Sequence, residues 1–278
     1  MLQTERRSAK ALRLLLALVL VVGLAACGDD DDDEAGTDTD TGTGTEAAAD
    51  VATYCEKILE IETLPEPDID FESLSEDEIA AEVRAYATTD LVPLAAEIEA
   101  VAPAEIESDI AVLVGAVDEV AETGDFEGAF EPPEVEAASD RAHAFDLENC
   151  GWTRVDVTAR EYAFEGIDEE LEAGATTFEF ANEGQEVHEL SVVRKAEGTT
   201  ESFDELLEMG EEESADKIEF VAHAFAEPGD SEYVIADLTA GEYIALCFIP
   251  VGSTPEAGED VDGPPHFTQG MRVEFTVS

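Results

Sequence analysis

The sequence predicts two folded domains of different class: a small antiparallel bundle of helices over residues 51–150, then an antiparallel Greek-key β-sandwich over residues 151–278. Three observations carry this. Apolar residues recur at helical spacing up to Cys150, whereas beyond Gly151 short β-prone segments are divided by Gly and turn residues. The chain of 278 residues, less its N-terminal leader, has room for about two domains.

In the first domain, Ser75 and Glu78 form a capping-box pair ahead of Ile79, Val83 and Tyr86. Leu91, Leu94, Ile98 and Val101 make a second apolar stripe. Ile106, Ile110, Leu113, Val117 and Val120 make a third, with Pro103 suited to the first turn and Gly124 to the end. Val135, Ala138, Ala142 and Phe145 make a last one, for a total of four or five helices. His143, between Asp140 and Asp146, is expected at the surface or its boundary and is given no role. Cys55 lies near the start of this domain and Cys150 at its end. In an oxidising compartment they are expected to pair, the alternative being two separate buried thiols. Closing so long a loop stabilises by up to about 4–5 kcal/mol on the chain-entropy model.

In the second domain the expected strands are 153–158, 176–181, 187–193, 218–224, 232–236, 242–248 and 271–277. Residues 194–217 form an insertion that reads as helical and acidic.

The N-terminus adds a destination. Arg6, Arg7, Lys10 and Arg13 make a basic start, and the largely apolar run from Ala11 to Ala26, which includes Arg13, is too short to span a bilayer comfortably. A basic start, a short apolar core and small residues before a break mark residues 1–26 as a secretory signal peptide. The break, Leu24-Ala25-Ala26-Cys27-Gly28, resembles the lipobox of bacterial lipoproteins. That resemblance implies cleavage before Cys27, lipid on its sulfur, and anchorage at the outer face of the cytoplasmic membrane. Residues 27–50 have almost no apolar side chains and are expected to be a disordered tether. Asp29 to Asp33 fit a solvated chain better than a calcium site.

The chain holds 13 basic and 70 acidic residues, a net charge of −57. The leader carries four of those basic residues and one acid, so its removal leaves −60. Such a surface excludes binding nucleic acid or an anionic membrane by charge. An acid excess of this size suits concentrated salt, where the screening length falls to about 3 Å at 1 M. With 44% hydrophobic residues the chain is not simply disordered.

Chemistry concentrates in the second domain. Cys247 ends the apolar run Tyr243 to Leu246 and is the cysteine left over once Cys27 is lipidated and Cys55 pairs with Cys150. His188 follows the turn Asn182-Glu183-Gly184-Gln185-Glu186-Val187, and His266 and Met271 frame Pro265-His266-Phe267-Thr268-Gln269-Gly270-Met271. This ordered set resembles the copper site of the cupredoxins, the plastocyanin and azurin family. The resemblance covers about the last 128 residues. It implies a cupredoxin-like sandwich holding one type 1 copper, with His188, Cys247 and His266 as equatorial ligands, Met271 axial and an unknown redox protein as partner. The whole chain also resembles a group of actinobacterial lipoproteins that join a helical domain to such a module. Two imidazoles, a thiolate and a thioether suit both copper oxidation states and favour copper over calcium or magnesium. The chain departs from the family in the long segment between Cys247 and His266. Its closure costs only about 1.5 kcal/mol more than a short loop, which metal binding of order 10 kcal/mol absorbs.

The expected function is single-electron transfer, with His266, flanked by Pro264, Pro265 and Phe267, as the electron port. An enzyme is not expected: multicopper oxidases need many more histidines than the four here. His223, alternating with apolar residues, reads as a strand-face residue. Two rivals use the same sequence differently: a metal-free surface module that binds a protein or envelope partner, and a copper carrier without electron transfer.

Overall fold

In the computed structural model, residues 44–278 are described except 66, 68, 71, 72, 210 and 258–260. The signal peptide, Cys27 and the first part of the expected tether therefore lie outside the described residues. The chain divides into a helical unit, which ends at Cys150, and a β unit from Gly151 to Ser278.

The first helix, α1 (Gly44–Glu62), starts inside the stretch expected to be tether as far as Asp50. Low apolar content there concealed Glu46 and three consecutive alanines, which favour a helical start. Next, α2 (Glu76–Tyr86) starts at the expected cap, where the Glu78 carboxylate accepts the Ser75 backbone N–H at 2.9 Å. It runs through one π turn, Ala87–Leu91, into α3 (Val92–Val101). The third stripe forms α4 (Glu107–Thr123), which stops at Gly124 in the left-handed region, φ 74°. Pro103 is not in its first turn. It opens a separate turn closed by Ile106 N–H on its carbonyl at 3.0 Å, because the residue before proline is held extended, with ψ of 130° at Ala102. A short α5 (Phe126–Phe130) and α6 (Pro133–Asn149) complete the unit.

The stripes face inward as expected: Val83, Leu91, Leu94, Ile98, Ile110, Val117, Val120, Val135, Ala138 and Ala142 are all buried. His143 is buried too, not at the surface, on a helix that packs along α4. Cys55 on α1 and Cys150 after α6 form a disulfide with Cα atoms 5.4 Å apart, tying the unit's two ends together.

The β unit is two sheets around one core. One sheet has the order β2-β1-β4-β7, from β1 (Thr153–Arg160), β2 (Ala163–Glu165), β4 (Gly174–Asn182) and β7 (Ser231–Leu238). The other has the order β3-β9-β8-β5-β6, from β3 (Glu170–Leu171), β5 (His188–Lys195), β6 (Ile218–Ala226), β8 (Gly241–Leu246) and β9 (Arg272–Val277). The sheets are mixed rather than antiparallel: β1 runs parallel to β4, pairing Val155 with Phe178, and β3 runs parallel to β9. The remaining ladders are antiparallel. Alternation along a strand is the same in either ladder, so sequence pattern could not separate them.

Inward residues of both sheets, among them Val157, Phe178, Phe180, Leu190, Val192, Tyr243 and Phe275, make one buried cluster. Each large side chain contributes roughly 1.5–3 kcal/mol on burial. Strand β5 is buried on both faces from His188 to Val193. At Val193 the insertion supplies the cover: its helix α7 (Phe203–Glu208) lays Phe203 and Leu206 against Val193, Ile244 and Leu246 on the outer face of the second sheet. A four-residue α8 (Glu211–Ser214) leads back to β6.

Candidate metal centre

Three strand ends bring the site together. The turn after β4 is built on Asn182, whose side-chain amide donates to the carbonyls of Glu186 and Ala226, each at 2.9 Å, while its oxygen accepts Gly184 N–H at 2.8 Å. This delivers His188 to the first position of β5. Cys247 follows the last residue of β8. His266 opens a short 3₁₀ turn, His266–Gln269, closed by Gly270 at φ 116°, and this turn returns the chain at Met271 to β9. Only glycine adopts that φ at no cost, so the glycine before Met271 is what makes the return possible.

The long segment between Cys247 and His266 does not hold these residues apart. Its two ends are zipped: Phe267 N–H donates to Cys247 carbonyl at 2.9 Å, His266 N–H to Ile249 carbonyl at 2.8 Å and Val251 N–H to Pro264 carbonyl at 2.9 Å. Pro250 and Pro265 pair across this ladder. The extra residues emerge beyond Val251, and the site sees a short loop. A further bond, Val187 N–H to Ser253 carbonyl at 2.9 Å, ties this Cys247–His266 segment to the approach of His188.

His188, Cys247, His266 and Met271 are each fully buried. The two Nδ1 atoms lie 3.1 Å apart, and Cys247 Sγ lies 3.3 Å from His266 Nδ1. The nearest ligand atoms of His188, Cys247 and His266 all fall within 4.8 Å of one another, the one such group among the described residues. Atoms this close can reach one ion at bond lengths of about 2.0–2.3 Å. Backbone bonds of 3.2 Å tie Met271 to both neighbours, its N–H to His266 carbonyl and its carbonyl to Cys247 N–H. The Glu189 N–H donates to the sulfur at 3.4 Å.

The outer ring nitrogens face carboxylates. His266 Nε2 is 3.0 Å from Glu186 Oε2, and His188 Nε2 is 3.6 Å from Glu161 Oε1. Glu186 accepts from His266 Nε2, while His188 Nε2 has Glu161 nearby but beyond hydrogen-bond distance; placing the proton on Nε2 of both rings leaves two Nδ1 lone pairs facing each other in a site closed to solvent. That arrangement is repulsive by itself and is what one cation with nitrogen and sulfur ligands satisfies. Burial pushes His188 down to about 4, and the neighbouring His266 adds to the effect. Burial also lowers His266, with Glu186 opposing. Both imidazoles are therefore neutral, as ligands must be, at neutral pH. Burial pushes Glu161 and Glu186 up, but it is outweighed. Backbone N–H donors from Gln185 and Glu186 hold Glu161 below the usual carboxylate range, and Gly252 N–H, His266 and Tyr162 do the same for Glu186.

One expectation fails. His266 is not an exposed edge: it has no accessible surface, Glu186 covers its outer nitrogen, and the Tyr162 ring lies 4.8 Å from it, centroid to centroid. The prolines and Phe267 flank it in sequence, but the turn between β1 and β2 brings Tyr162 over it. Sequence gave Glu161 and Tyr162 no signal. Glu186 stood two residues before His188 in the turn already singled out. His223 lies on β6 as expected, half-buried, with Nε2 3.0 Å from Glu189 Oε2, and is outside the ligand group.

No protein-family model matches the chain, and no curated protein does. Among solved structures, the auracyanin of Roseiflexus castenholzii is 18% identical, over 45% of this chain and 97% of its own, with a TM-score of 0.30. Auracyanin A of Chloroflexus aurantiacus, described as a "blue" copper protein, is 20% identical over 46% and 100%, with a TM-score of 0.29. Rusticyanin from Thiobacillus ferrooxidans is 16% identical over 46% and 79%, also at 0.29. Likenesses of this strength carry no argument, and the function is read from the site's own atoms.

Proposed function

We propose that the β unit holds one copper ion at a type 1 site and passes single electrons. His188, Cys247 and His266 would hold it, with Met271 as a fourth donor. The observation that carries this is the buried meeting of two Nδ1 atoms and a thiol sulfur, with both outer nitrogens turned to carboxylates. Copper bound there supplies a one-electron couple. Soft thiolate and thioether with borderline imidazoles serve both of its oxidation states.

The chain's own part is to hold the donors still. Asn182 fixes the turn before His188, the zipped ladder fixes Cys247 against His266, and Glu189 N–H orients the sulfur. Electron transfer between rigid donors needs little reorganisation. The four donors have no accessible surface, so bulk water is kept from the ligand positions. Turnover of a substrate is not part of this reading: the chain has four histidines, two of them here, with His143 in the helical unit and His223 held by Glu189.

The lipobox at Cys27 supports a second part of the proposal, that the protein works outside the cytoplasm on a lipid anchor, facing a redox protein as partner. Among the described residues no helix is long and apolar enough to cross a membrane.

Repeated reduction by ascorbate and reoxidation tests the electron-carrier reading. The protein should bleach and recolour over many cycles at a steady potential with copper retained. Copper released on reduction would show a carrier of the metal instead.

A further inference from the structure

We propose that Glu161 and Glu186 form a carboxylate cap that biases this site toward the oxidised ion. This inference rests on the copper reading and specifies how the chain sets its potential. Neither residue is a ligand. Each stands one imidazole ring away from the metal position, Glu186 Oε2 at 3.0 Å from His266 Nε2 and Glu161 Oε1 at 3.6 Å from His188 Nε2.

The cap is built, not incidental. Glu161 Oε1 accepts the backbone N–H of Gln185 and, at 2.9 Å, that of Glu186. Glu186 Oε2 accepts Gly252 N–H at 2.5 Å, and its Oε1 accepts the Tyr162 hydroxyl at 3.1 Å. Tyr162 then covers the His266 ring. Three segments therefore converge on two carboxylates: the turn after β1, the turn before β5 and the start of the long insertion. Gly184 leaves the space for one of them. A Cβ there would stand 2.5 Å from Glu161 Oε1 and 2.8 Å from His188 Nε2.

Two effects act in the same direction. A fixed negative charge stabilises Cu(II) more than Cu(I), since the oxidised ion carries one more positive charge, and burial of both rings weakens the screening. At His266, Glu186 accepting the Nε2 proton also makes the imidazole a stronger donor at Nδ1, which favours the harder Cu(II); at His188 the 3.6 Å gap leaves Glu161 acting through its charge. Both oppose the dry surroundings and the N–H bond from Glu189 to the sulfur, which favour Cu(I). Oriented carboxylates behind ligand histidines are worth 10–100-fold in metal affinity.

The experiment compares wild type, Glu161→Gln, Glu186→Gln, the double variant and Glu186→Asp. Cu(II) and Cu(I) affinities are measured by competition titration and the midpoint potential from the visible band. Each Gln variant should lose about 10–100-fold in Cu(II) affinity and much less in Cu(I) affinity. Each tenfold change in that ratio raises the potential by about 59 mV. The double variant should shift furthest and Glu186→Asp least. Equal loss of both ions with an unchanged potential would show a purely structural role and overturn the cap, as would a potential that falls. A wild-type protein with no Cys247-dependent band would overturn the copper reading as well, and that band tells the two failures apart.

Discussion

Acidifying the metal-free protein should destabilise the β unit between pH 6.5 and 4, and His188 sets the size of the loss. In the folded chain His188 has no accessible surface, and burial next to His266 holds it down to about 4, against 6.5 for the ordinary side chain. Between these values the unfolded chain binds a proton at His188 and the folded chain does not. Stability from this group is therefore fully present above pH 6.5 and lost as pH falls toward 4. The gap is worth about 3 kcal/mol. His266, also lowered by burial, acts in the same direction. The acid-rich surface acts in the opposite sense, because protonating carboxylates relieves repulsion, so the comparison must be made against a variant. Urea unfolding of chelator-treated wild type and His188→Gln at pH 7.5 and pH 4 isolates the term, since Gln does not titrate. Wild type should lose about 3 kcal/mol relative to the variant over that interval. An unchanged difference between the two proteins, or a relative gain by wild type in acid, would refute the assignment of a buried, neutral His188.

Replacing both Cys55 and Cys150 with Ala should cost the helical unit up to about 4–5 kcal/mol, read by thermal melting of its helical signal, because their bond closes a 95-residue separation. Gly184→Ala should weaken copper binding by 10-fold or more while leaving the fold intact, since the new methyl meets His188 Nε2 and Glu161. A copper titration beside a circular dichroism spectrum checks both halves of that statement. Mass spectrometry of the native N-terminus should find a diacylglycerol adduct on Cys27, and Cys27→Ser should release the protein or leave its leader uncut.

Much of this was legible because period and chemistry coincide. His188, Cys247 and Met271 each stand at or next to a strand end, and strands are visible in alternation; His266 stands on the turn that leads into β9. The caps at Ser75 and Gly124 were legible because one side chain or one φ value decides them. The parallel pairing of β1 with β4 was not, because residues i and i+2 share a face whichever way the neighbour runs. Burial of His143 was hidden because it depends on which helix lies across from α6. The cap of Glu161 and Glu186 was hidden by composition: among 70 acids, two that matter carry no mark. The 18 residues between Cys247 and His266 looked like a weakness of the site, because backbone pairing of Ile249 with His266 and of Val251 with Pro264 leaves no trace in sequence.

The most direct test of the central claim is the visible spectrum of purified protein titrated with Cu(II), beside Cys247→Ser. Wild type should develop an intense blue or green charge-transfer band that saturates at one equivalent. The variant should lack it, because a serine oxygen cannot replace the thiolate. Wild type that takes up no copper, or holds it without an intense band dependent on Cys247, would contradict the account.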